Sequence, residues 1–77
     1  MNALNDLQAF SDRFRDLDIR SVRPFIERLI EPLTASQARD LASAYAGYRS
    51  TDSKRGVVEM LIDSIERRIV SHLRTQF

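Results

Sequence analysis

The sequence predicts an all-α fold, a small four-helix bundle with a long C-terminal helix, and three observations carry that prediction. Large apolar residues recur at three- and four-residue steps in four separate stretches, the period of helices that each bury one face. The breaks between them hold helix punctuation: Pro32 followed by a capping sequence, then the polar run Ser50-Thr51-Asp52-Ser53. Composition is that of a folded chain, with 43% hydrophobic and 30% charged residues, 2 Gly and 2 Pro in 77 residues. That length predicts one domain, residues 1–77, with a thin core.

The first helix is expected over about residues 3 to 16. Leu4, Leu7, Phe10, Phe14 and Leu17 make one apolar stripe, Asn2 or Asn5 can cap the start, and Asp6 favours the positive helix end. Rhythm is lost over Leu17-Asp18-Ile19-Arg20, after which Asp18 or Ser21 can cap a second helix running to about Glu31. Pro24 falls in its first turn, where a missing N–H costs little. Val22, Phe25, Ile26, Leu29 and Ile30 form a stripe wide enough to need more than one neighbour. Pro32 stops this helix and should push Glu31 out of the α region.

Leu33-Thr34-Ala35-Ser36-Gln37 reads as a capping box with Leu33 as a staple, so the third helix begins at Ala35. It carries Ala38, Leu41, Ala42 and Tyr45 on one face, and either Gly47 or the Ser50-to-Ser53 run ends it. The fourth helix is the spine, residues 53 to 77. Val57, Val58, Leu61, Ile62, Ile65, Ile69, Leu73 and Phe77 face the core, with Lys54, Arg55, Glu59, Asp63, Glu66, Arg67, Arg68 and Arg74 on the wet side. Early in this helix Gly56 permits a close backbone approach; the alternative is a start one turn later.

Several function classes are disfavoured. The chain has no Cys, which removes disulfides and thiolate chemistry together. Residues 1 to 14 lack the apolar run of a signal peptide, and no segment approaches the ~20 apolar residues of a membrane span, so a cytoplasmic, membrane-free protein is expected. His72 is the lone His, with no Cys or carboxylate cluster to complete a metal site, and no acid, base or nucleophile stands in a recognisable constellation. The expectation is a non-enzyme without cofactor. Net charge of +1 and a pI of 8.3 are weak for a dedicated nucleic-acid binder, and Lys54 with Arg55 lies many turns from Arg67, Arg68 and Arg74. Nucleic acid is therefore a possible partner but not the favoured one.

Ile19, Ile26-Glu27, Leu33-Thr34, Gln37 and Ser43-Ala44 lie on a gapless stretch, Ile19 to Ala44, that resembles the Hha/YmoA type of small enterobacterial nucleoid-associated modulators. The resemblance implies helix-core and capping positions. Where that pattern has an Asp-His-Arg run for partner binding, this chain has Tyr45-Ala46-Gly47-Tyr48, so no functional residue transfers.

The remaining inference comes from core arithmetic. About two dozen large apolar residues sit on four amphipathic elements, and a domain this small buries only about 60 to 65% of its surface. Leftover apolar surface predicts protein–protein contact, with a symmetric homodimer the simplest form. The expected partner or dimer surface combines Phe25 and Leu29 with Arg67, Arg68, Ile69, Leu73, Arg74 and Phe77, an apolar centre with an arginine rim. Tyr45 and Tyr48 are a further candidate, as an exposed aromatic pair. The function expected on these grounds is that of a bacterial, antiactivator-like regulatory adaptor that occludes a helix or groove of a larger protein such as a transcription regulator. A DNA- or nucleoid-associated modulator is the second reading, and a structural subunit of a phage or conjugation assembly the third.

Overall fold

Asn2 opens the first helix as expected: its Oδ1 accepts from the Leu4 N–H at 2.9 Å and the Asn5 N–H at 3.4 Å. The computed structural model describes residues 2–47 and 51–75. Among these the chain forms α1 (Ala3–Asp12), a 3₁₀ turn (Ile19–Ser21), α2 (Val22–Ile30), α3 (Ala35–Ala46) and α4 (Lys54–Arg74), and no strand.

Helix α1 stops four residues short of the expected end. At Arg13 ψ swings to 15°, and the chain continues through i→i+3 bonds, Phe14 N–H to the Ser11 carbonyl at 3.1 Å and Asp16 N–H to the Arg13 carbonyl at 2.9 Å. The tightened turn sets Phe14 against Arg68 and His72 of α4, a tertiary contact that overrides the helical stripe. Asp18 then caps the 3₁₀ turn, accepting from the Arg20 N–H at 2.8 Å and from its guanidinium at 2.8 Å. The Arg20 hydrogen bonds hold the Asp18 carboxyl down to about 2, so this tie persists above the ordinary carboxylate range and is lost as pH falls through about 2.

Pro24 sits in the first turn of α2, where no ladder donor is lost. At the other end Glu31 keeps α-region dihedrals, φ −50° and ψ −48°. The expected departure before Pro32 does not occur. Its ring ends the helix by removing the next donor, and Leu33 N–H closes the turn onto the Ile30 carbonyl at 2.9 Å.

The capping box of α3 is present in full, with Gln37 N–H to Thr34 Oγ1 at 3.1 Å and Thr34 N–H to Gln37 Oε1 at 2.9 Å. Replacing Thr34 with Ala should cost about 1 kcal/mol, read as a lower urea midpoint at unchanged slope; an unmoved midpoint would contradict the cap's contribution. Gly47 terminates α3 in the left-handed region at φ 77°, where a side chain would be strained. Helix α4 starts at Lys54 with Ser53 as N-cap, its Oγ accepting from the Gly56 N–H at 3.1 Å. The later start is therefore excluded, and a Cβ on Gly56 would lie 3.0 Å from that of Asp52.

Helix α4 is the spine. Helices α2 and α3 make their main contacts along it, while α1 lies on α3 and, less extensively, on α2. From α4, Val57, Leu61, Ile62, Ile65 and Ile69 enter the core, where they meet Val22, Ile26 and Ile30 of α2 and Leu7 of α1. Ala38 and Ala42, both fully buried, are small enough to let α3 approach closely. On the surface Arg23 of α2 grips Glu59 of α4 with two hydrogen bonds, at 2.7 and 3.0 Å. The guanidinium lowers the Glu59 carboxyl below its usual range.

Candidate functional site

Two aromatic residues from different helices meet at the surface. Phe10 of α1 and Phe25 of α2 stack with ring centroids 3.8 Å apart and an interplanar angle of 3°. The parallel rings join α1 to α2 at the surface. Both rings are half-buried and line an open depression of about 660 Å³ with Ala9, Pro24 and Leu29. Asp6, Arg13, Ser21 and Arg28 complete its wall. Asp6, Arg13 and Arg28 have no ion-pair partner among the described residues, which leaves an apolar floor with unpaired charges of both signs around it.

A second region lies where α1 meets the C-terminal half of α4. Ser11, only 1% exposed, shares a hydrogen bond with the Tyr45 hydroxyl at 2.7 Å and accepts one from Arg68 Nη1 at 2.7 Å. The Arg68 guanidinium carbon sits 4.4 Å from the Phe14 ring centroid, Arg15 approaches the same ring at 5.1 Å, and His72 meets it edge-on at 5.7 Å. One depression of about 740 Å³ here is lined by Tyr45, Met60, Asp63, Arg67 and Arg68 among others. A neighbouring one of about 450 Å³ shares Arg67 and Arg68 and adds Phe14, Arg15, Ser71, His72 and Thr75. Arg67 itself is paired to Asp63 at 3.0 Å.

The expected interface residues are thus divided. Phe25 and Leu29 do lie together, on the first depression. Arg67 and Arg68 line the second region, which shares no lining residue with the first. Ile69 is corrected: at 2% exposed it is a core residue and presents nothing to a partner, on a stretch of α4 where the segment after α1 packs through Phe14 against Arg68 and His72. Leu73 is 50% exposed and Arg74 is exposed. Phe77 lies outside the described residues. So does Tyr48, and with it the Tyr45–Tyr48 pair; Tyr45 itself is half-buried with its hydroxyl on Ser11.

Phe10, Arg13, Arg28 and Ser11 were not foreseen in any site. Phe10 was legible only as a member of the α1 stripe, and a serine on that stripe's flank carries no sequence signal for burial. At the other end of α4, Lys54 donates to the Glu31 carbonyl at 2.7 Å, a structural tie between α2 and α4. It stands about 20 Å along the helix from Arg68, so the two basic groups form no common patch within one chain.

Among the described residues no helix is long and apolar enough to cross a membrane, and no three His, Cys, Asp or Glu side chains gather as a metal site. Compared with protein-family models, with curated proteins and with solved structures, the chain matches none. The similarity of Ile19 to Ala44 to the nucleoid-associated modulators therefore rests on those residues alone. In this fold they are core positions such as Ile26 and the α3 cap formed by Thr34 and Gln37.

Proposed function

We propose that this chain is a small cytoplasmic, non-enzymatic regulatory adaptor that docks an apolar helix face of a larger protein, such as a transcription regulator, onto the depression between α1 and α2 and thereby occludes it. The observation that carries the reading is the Phe10 and Phe25 stack with Leu29 beside it, half-buried on a concave surface. Apolar anchors inside a polar rim are the usual anatomy of a protein interface, and a groove between two helices suits an incoming helix. Asp6, Arg13 and Arg28 supply charges that a partner's charges can meet, which would fix its register. The same surface can serve a symmetric homodimer, in which each copy offers the same patch.

The test is affinity capture from the native host with the wild-type chain and with Leu29→Asp. Leu29 is only half-buried, so the variant should retain its helical circular dichroism. A partner retained by the wild type and lost by Leu29→Asp supports the reading; equal retention contradicts it. Sedimentation equilibrium on the same pair reports whether the patch also carries self-association.

The second reading, a nucleic-acid-associated modulator, draws on the gathering of Arg15, Arg67, Arg68 and His72 around one depression. Salt separates the two. Binding through phosphates weakens steeply with added salt, whereas docking on an apolar floor changes little.

A further inference from the structure

We propose that the depression at the junction of α1 and α4 is a binding site for a phosphate monoester dianion, with Arg68 as its central ligand and Arg15, Ser71 and His72 completing it. Among the described residues its lining holds three arginines, a histidine, two hydroxyls and one aromatic ring, and no carboxylate. The adjoining depression holds two acidic side chains, Asp12 and Asp63, and Asp63 is already engaged by Arg67. Among the described residues neither Arg15 nor Arg68 has an ion-pair partner.

Arg68 differs from an ordinary surface arginine in being held before any ligand arrives. One N–H goes to Ser11, which is buried and tied in turn to Tyr45, and the guanidinium plane rests near the Phe14 ring. A guanidinium carries five N–H donors, and the bond to Ser11 among the described residues leaves others for an oxyanion. A long side chain loses rotamer freedom on binding, and in Arg68 the bond to Ser11 already restricts it. The second guanidinium, from Arg15, approaches the same ring from the other chain segment and lines the same depression, so two cations border one opening. An anion with two charges and several acceptor oxygens answers both features, because it neutralises the pair and accepts from several directions. A monoanionic carboxylate would satisfy one guanidinium only. Thr75 is not counted as a donor, since its hydroxyl donates to the His72 carbonyl at 2.8 Å.

The experiment is an NMR titration of the full chain at constant ionic strength with inorganic phosphate, N-acetyl-O-phosphoserine amide and sodium acetate in separate arms. A saturable shift of the Arg68 side-chain and Ser71 and His72 backbone signals by phosphate or phosphoserine is expected, with acetate at least about tenfold weaker. Tighter binding of phosphoserine than of inorganic phosphate would name a phosphorylated side chain as the source; the reverse would name the free anion. Arg68→Gln should weaken the response about tenfold or more, as loss of a charge-assisted hydrogen bond implies, while Arg28→Gln, on the other surface, leaves it unchanged. If Arg68→Gln proves unfolded, Arg15→Gln replaces it, since Arg15 has no hydrogen bond to the core. Linear shifts without saturation, acetate equal to phosphate, or a response untouched by both variants would overturn the site.

Discussion

Leu61→Ala is expected to remove about 3 kcal/mol of folding stability. Leu61 is fully buried on α4, the helix against which both α2 and α3 pack, and truncating a buried leucine costs the lost transfer energy plus the cavity left behind, typically 2 to 5 kcal/mol (about 24 cal/mol per Å³ of cavity). Marginal stability of roughly 0.05 to 0.15 kcal/mol per residue gives a chain this short only about 4 to 12 kcal/mol in total. The variant should therefore sit close to its unfolding transition at 37 °C. Urea denaturation followed by circular dichroism measures the loss; a decrease below about 1 kcal/mol would mean that the α4 core is not built around this position.

The second large effect is a contrast within one helix. Ile69→Ala should cost about 2 to 4 kcal/mol, because Ile69 is 2% exposed, whereas Leu73→Ala, one turn on and 50% exposed, should fall within about 0.5 kcal/mol. Equal costs, or a larger cost at Leu73, would place the end of the core elsewhere on α4. The pair also decides how Leu73 is to be read. An exposed leucine that contributes nothing to folding is available for contact, while Ile69 has no surface to give.

Much of the fold was legible because its signals are local. The Thr34 and Gln37 capping box, the Asn2 cap and the role of Gly47 follow from neighbours within four residues, and the α4 stripe follows from its own periodicity. Most of the errors come from contacts between distant segments, and the one at Glu31 is local. Phe14 leaves the α1 helix because α4 offers Arg68 and His72 to its ring, and nothing between Ala3 and Leu17 announces that. Glu31 stays helical because a single residue before proline can tolerate the α region when the turn beyond it closes. The candidate surface was half legible for the same reason. Phe25 and Leu29 share a stripe on α2, so their grouping could be read from spacing, but Phe10 reaches them from another helix across a turn whose geometry the sequence does not encode locally. Ser11 is the extreme case, a buried polar residue whose burial exists only because Tyr45 and Arg68 converge on it.

The proposed meeting place of this chain with another protein is the depression floored by Phe10, Phe25 and Leu29. Photo-crosslinking in the native host tests it most directly, with a photoreactive side chain placed at Arg28, on the rim of that depression, and in a second variant at Asp40, an exposed residue of α3 away from it. Both positions are exposed, so neither replacement should disturb the core. A discrete covalent adduct, to a larger protein or to a second copy of the chain, is expected from position 28 and none from position 40. No adduct from position 28, or the same adducts from both positions, would contradict it.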